Sequence, residues 1–237
     1  MKKTLAFVSA ALAASALALT SLAEPSDWAV AEIAQATGDG YVQDAIQSDY
    51  QNNITRGEFA TLAVNYVAST LGYSFDEFAT FMAEGTHGYH ALSEPFGTVK
   101  LNYADTAFTD TDDAHIRIAA CMGIVFGTGN GLFEPDAPIT REQAATMLLR
   151  TYYSYSAAVS FDGGTTFADA DLIDDWADLG VRFCVRNGVM KGVSATEFDP
   201  DGFYTREQAI VTFARMSNDK TWMDSNADSL YPIKTNS

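Results

Sequence analysis

Positive charge is what this sequence has least of. Fourteen lysines and arginines stand against 31 aspartates and glutamates in 237 residues, a net charge of −17 at pH 7. A field of that sign excludes non-specific nucleic-acid binding, which draws on clustered Lys and Arg. Cysteine is nearly absent as well. Cys121 and Cys184 both fall inside apolar helical patterns; two small buried residues are the plainer expectation, and a bridge in an exported chain is the other. Beyond residue 19 no apolar run is long enough to cross a bilayer. There is no Gly-x-Ser-x-Gly elbow and no Cys-His pairing, and Gly127-x-Gly129-x-Gly131 lacks the preceding strand and full fingerprint of a dinucleotide site. No catalytic residue and no cofactor is therefore expected. The hydrophobic fraction of 47% also excludes a mainly disordered acidic chain.

The one long apolar run opens the chain. Lys2 and Lys3 precede the stretch Leu5 to Leu19, and Ser21-Leu22-Ala23 offers small residues for cleavage. That order predicts a secretory signal peptide over residues 1–23. Its only charges are the two lysines, so the mature chain would keep 12 of the 14 basic residues and carry −19.

The remainder contains one unit written three times. Thr55-Arg56, Thr140-Arg141 and Thr205-Arg206 follow Gly40, Gly123 and Gly188 by 15, 17 and 17 residues, counted from glycine to threonine. Trp28 and Trp176, each followed by alanine, stand twelve residues before the first and third of those glycines, with Thr111 at that place in the second copy. Copies two and three open alike, "FTDTDD" from Phe108 and "FADADLIDD" from Phe167, and share "EPDAPITREQA" against "DPDGFYTREQA". The units cover residues 24–69, 106–154 and 165–217, with an insertion at 70–105 and a polar tail at 218–237.

Each unit reads as helix, loop, helix. Trp176, Leu179, Gly180 and Phe183 lie at i, i+3, i+4, i+7, a helical face. Gly188 predicts the end of that helix, because glycine takes the left-handed C′ conformation without a Cβ clash. The second helix starts at threonine, with Glu58, Gln143 or Gln208 three residues on, a capping box in all three copies. Apolar residues follow at helical spacing: Phe59, Leu62, Ala63 and Tyr66; Ala144, Met147 and Leu148; Ala209, Phe213 and Met216. Inside the insertion, Phe75, Phe78, Ala79 and Met82 predict a short amphipathic helix. One short hairpin cannot bury its stripe alone, so a mainly α, pseudo-threefold bundle around a shared core is expected.

The arginines are the puzzle. Arg56, Arg141 and Arg206 sit in the first turn of a helix, where the macrodipole disfavours a cation by a few tenths to about 1 kcal/mol. A guanidinium beside free helix N–H groups can, however, make a local anion site. The alternative is a structural pair, Arg141 with Asp136 or Arg206 with Asp201. Trp28 and Trp176 are open in the same way, either packed in the core or stacked on a sugar face.

In its ordered Phe-x-Asp, Trp-Ala helix, glycine loop, Phe-x-Pro and Thr-Arg-Glu-Gln, the chain resembles the S-layer homology (SLH) domain family, with three tandem repeats. Copies two and three match closely. The first lacks Phe-x-Pro, has Gly57 where the others have glutamate, and has Asp44 where they have Gly127 and Gly192. The resemblance implies a non-catalytic anchor, exported to the cell wall or cell surface of a bacterium. It implies binding of a secondary cell-wall polysaccharide, an anionic and often pyruvylated glycopolymer, in grooves between repeats. Carried over residue by residue, it implies glycan contacts at Arg56, Arg141 and Arg206, at Trp28 and Trp176, and at the loop glycines Gly123, Gly127, Gly188 and Gly192. Fewer than three competent grooves is the corollary of Thr111 and the degraded first copy.

Two other readings stand beside this one. The insertion and tail could recruit other cell-surface proteins. Glu84, His87 and His90 have the spacing of metal ligands on one side of a helix, as a hydrolase would need, although Gly85 and Gly88 interrupt that helix and no metal is expected. Asp110-x-Asp112 and Asp169-x-Asp171 lack the glycine and distal glutamate of a calcium loop and read as acids at helix starts.

Overall fold

A computed structural model describes residues 24–84, 107–155 and 167–218. The expected signal peptide, most of the insertion with His87 and His90, and the tail beyond Asn218 lie outside the described residues. Within them the chain is mainly helical, and extended pairing is limited to four isolated bridges. The helices are α1 (Val30–Gly38), α2 (Arg56–Thr70), α3 (Phe75–Ala83), α4 (Ala114–Cys121), α5 (Arg141–Tyr155), α6 (Asp178–Arg186) and α7 (Arg206–Asn218).

Local sequence sets the boundaries. Thr55 accepts the Glu58 amide while the Glu58 side chain accepts the Thr55 amide. The same reciprocal pair joins Thr140 with Gln143 and Thr205 with Gln208, so α2, α5 and α7 all start on a capping box. Gly40, Gly123 and Gly188 follow α1, α4 and α6 with φ of 80°, 71° and 67°, the left-handed turn that only glycine adopts freely. The predicted apolar faces of α2, α5 and α7 are buried in one core cluster. The insertion helix α3 begins on its own Ser74–Glu77 capping box and adds buried Phe78 and Met82.

The packing is not that of three hairpins. The first helix of each repeat packs chiefly on the second helix of the preceding one: α4 on α2, α6 on α5, and α1 on α7. Gly180 makes the α6–α5 approach possible, since a Cβ there would lie 2.8 Å from the Thr146 N and Cα atoms. The backbone closes the same cycle. Ile54 N donates to Tyr204 O, Tyr204 N to Ile139 O, and Ile139 N to Ile54 O, at 2.8, 3.0 and 3.3 Å. One chain segment from each repeat thus supplies a link of a ring, on which the N-termini of α2, α5 and α7 are placed. Of these central helices, α2 contacts both α5 and α7.

One sequence expectation changes here, and the plainer reading of the cysteines holds. Asp110 and Asp169 do not serve a helix start; each carboxylate accepts a pair of loop amides, Phe133 with Glu134 and Phe198 with Asp199, at 2.7–3.1 Å. Asp113 is the acid that caps α4, accepting from His115 and Ile116. The two thiols are buried and not joined in a disulfide, and burial pushes Cys121 up to about 11. Neither is a ready nucleophile.

Candidate functional site

Each first-turn arginine leaves its own helix end and reaches the loop of the next repeat. Arg56 donates through Nε to Phe133 O at 2.9 Å and through Nη2 to Phe126 O at 3.1 Å. Arg141 repeats this on the third repeat, to Phe198 O and Lys191 O, both at 2.7 Å. Each guanidinium also lies over a ring of the loop it holds, 4.8 Å from Phe133 and 4.9 Å from Phe198. The dipole penalty is therefore offset by two charged hydrogen bonds per arginine. Neither expected acid pairing forms: Arg141 grips carbonyls rather than Asp136, and Arg206 binds Glu58 and Ser48 O rather than Asp201.

Burial separates the three arginines: Arg56 and Arg206 are half-buried, whereas Arg141 is buried. Arg141 is only 4% exposed. Burial lowers the pKa of Arg56 and of Arg141, and nearby acids oppose the shift: Glu134 and Asp110 for Arg56, Asp199 and Asp169 together with Tyr204 for Arg141. The tryptophans move the other way. Trp28 and Trp176 precede α1 and α6 and are 50% and 48% exposed, so the core-packing alternative is ruled out.

Two equivalent grooves result. The first, of about 200 Å³, is walled by Arg56, Phe126, Gly127, Arg150 and Trp176. The second, of about 340 Å³, is walled by Arg141, Lys191, Gly192, Arg215 and Trp28. Gly127 and Gly192 belong to these walls and are needed there, because a Cβ would come within 2.6 Å of Leu132 O or 2.4 Å of Glu197 O. Gly123 and Gly188 do not line either groove; they are the helix-ending glycines.

Arg150 and Arg215 are the site residues that sequence reading missed. Each stands ten residues after the capping threonine, and the first copy has Asn65 there. Extending the repeat comparison past the first helical turn would have found them. Their settings differ. Arg215 faces Glu32 at 3.9 Å. Arg150 lies over the Phe126 ring at 4.6 Å, its Nε is buried without a hydrogen bond, and no ion pair to it forms among the described residues. Burial first, and then the charge of Arg56, pull its pKa down to about 10, so it remains a cation at neutral pH.

The third corner is altered throughout. Thr111 replaces tryptophan, Asn65 replaces the second arginine, and Glu58 replaces glutamine and ties up Arg206. A hollow remains there, lined by Glu58, Thr61, Thr111 and His115. Gly57 also removes a contact that the other copies keep. Glu142 accepts the Asp174 amide, and Glu207 accepts the Ser26 amide and hydroxyl, just ahead of each tryptophan. Among the described residues no group of three or more His, Cys, Asp or Glu could hold a metal, and no helix is long and apolar enough to cross a membrane.

Comparison with known proteins matches two of these units. Residues 108–145 and 166–210 match the S-layer homology domain. The chain is 34% identical over 87 residues to a surface-layer 125 kDa protein of Lysinibacillus sphaericus, covering 37% of this chain and 7% of that one. It is 32% identical over 97 residues to the exoglucanase XynX of Acetivibrio thermocellus, covering 40% and 9%. An S-layer protein of Bacillus thuringiensis subsp. finitimus is 29% identical over 93 residues, covering 39% and 11%. The matched region is thus a small part of each relative.

Proposed function

From a chain that carries S-layer homology domains in its second and third repeats, we propose a non-catalytic anchor that holds to the bacterial cell wall by binding an acidic glycopolymer. An SLH domain is an anchoring module, and the relatives include both surface-layer proteins and glycan-degrading enzymes. The ligand is a secondary cell-wall polysaccharide with a carboxylate, of which a pyruvyl ketal is the expected form.

The observation that carries this reading is the groove between Arg150 and Trp176. Arg56 and Arg150 wall it together, and neither forms an ion pair among the described residues. Two like charges held close in a partly desolvated cleft repel each other, and an anion between them removes that cost. A planar carboxylate suits a guanidinium fork, and the half-exposed Trp176 offers a ring face to the sugar that bears it. In the second groove Glu32 already neutralises part of the charge of Arg215, so binding there depends more on Trp28 and the Lys191–Gly192 loop. The third corner is not a competent groove on this reading.

Cosedimentation with purified cell-wall sacculi tests it, before and after extraction of the secondary polymer. Arg150→Ala is the informative variant, because Arg150 holds no loop carbonyl. It should reduce retention about tenfold or more, the worth of one charged contact, while the melting temperature stays put. Equal retention on extracted sacculi would favour a protein partner instead.

A further inference from the structure

The opposite ends of the central helices enclose a third kind of hollow. α2 and α7 begin at the arginine end and finish here, ~20 Å away along a helix of this length. The hollow has a volume of about 420 Å³, within the ~300–1,000 Å³ range of small-ligand clefts. Asp39, Ser69, Thr70 and Ser217 contribute polar groups to its wall, and Gln35 and Asn218 close one side by exchanging hydrogen bonds at 2.7 and 3.0 Å.

Tyr41 is the residue that asks for a ligand. Its ring packs edge-on against Tyr66 at 5.4 Å, and the side chain is only 2% exposed. Among the described residues its hydroxyl nevertheless finds no well-formed hydrogen bond; the Ser217 hydroxyl only approaches closely enough to temper the rise in pKa that burial causes. A buried hydroxyl without a partner destabilises a fold, and phenylalanine would fill the same space without that cost. Tyr41 borders the hollow, so a hydroxyl-bearing group seated there stands beside the covered phenol and can supply its missing partner.

We propose that this hollow is a second binding site, taking a sugar unit that has no acid group. Carboxylate, amide and hydroxyl groups beside aromatic rings are the contacts that sugar hydroxyls accept. An acidic sugar is disfavoured by Asp39 and by the carbonyl ends of α2 and α7, and among the described residues no lysine or arginine lines the wall. The site would therefore select against the ligand class of the arginine grooves, and one glycan chain could present a neutral unit here and an acidic unit there.

The test is an amide-shift NMR titration of the intact chain with N-acetylglucosamine and glucose as neutral probes and N-acetylmuramic acid as the acidic one. The neutral sugars should give saturable shifts around Asp39, Ser69 and Ser217 at millimolar concentration, and the acidic sugar none at those positions. Tyr41→Phe and Asp39→Asn should each weaken binding about tenfold. Tyr41→Phe should melt at or above the parent temperature, whereas Arg150→Ala should leave the titration unchanged. The proposal is overturned by absence of saturable shifts, by equal shifts with the acidic sugar, or by destabilised Tyr41→Phe, which would mean that the hydroxyl is bonded within the chain.

Discussion

Replacing Arg141 by alanine should damage the fold before it damages binding. The guanidinium is the donor to Phe198 O and Lys191 O, and it is held over the Phe198 ring in a site where only 4% of the residue is exposed. Alanine leaves the buried Phe198 carbonyl without that partner, at about 1–3 kcal/mol, while water reaches the part-buried Lys191 carbonyl and the cost there is about 1 kcal/mol, so a loss of roughly 2–4 kcal/mol follows. For a chain of this size each kcal/mol moves the melting temperature by about 2–4 °C, which predicts a fall of roughly 4–16 °C. Arg141→Lys should rescue little, because one ammonium cannot span two carbonyls with the geometry of the planar fork. Thermal unfolding followed by far-UV circular dichroism reads the effect. A melting temperature within about 2 °C of the parent, with wall binding lost, would refute the reasoning and return Arg141 to a role in binding alone.

Two further outcomes follow from the packing and the loops. Gly180→Ala should destabilise by about 1–3 kcal/mol or more, because its Cβ would press on the α5 backbone at Thr146, which has no flexible end to move aside; chemical denaturation measures it. Acid should open the loops of the second and third repeats. The amide of Phe133, helped by that of Glu134, holds the Asp110 carboxyl below the usual range; at Asp169 burial pulls upward, but the amides of Phe198 and Asp199 outweigh it. A carboxylate with a depressed folded pKa adds stability that is complete above its unfolded value, near 3.9, and is lost as pH falls through the folded value. Loop amide exchange should thus be flat from pH 7 to about 5, allowing for intrinsic chemistry, and accelerate below about 4. Asp110→Asn should remove that acid transition from the second-repeat loop alone.

Much of the architecture was legible in the sequence because its signals are local. A capping box acts across three residues, a C′ glycine acts on its own φ, and an apolar stripe is a matter of spacing along one helix. Thr55, Thr140 and Thr205, the glycines Gly40, Gly123 and Gly188, and the buried faces of α2, α5 and α7 all stand where those rules put them. The candidate site was less legible. The repeat pattern drew attention to Arg56, Arg141 and Arg206, but not to the carbonyls they grip, which never lie within the same repeat. The farthest of those carbonyls, Ser48 O, lies 158 residues from Arg206. It also passed over Arg150, an ordinary helix residue until Phe126 and Arg56 are placed beside it.

The sequence by itself determined three copies of a unit, their helices and caps, and the changes that set the first copy apart. Only the tertiary structure decided which copy each helix and each arginine serves. First helices pack on the preceding repeat, loops are held by the preceding arginine, and both tryptophans stand open to solvent. The reason is that caps and stripes are satisfied within a few residues of their origin. Loop carbonyls have no such local donor, and they take theirs from whichever repeat the closing ring of Ile54, Tyr204 and Ile139 brings alongside.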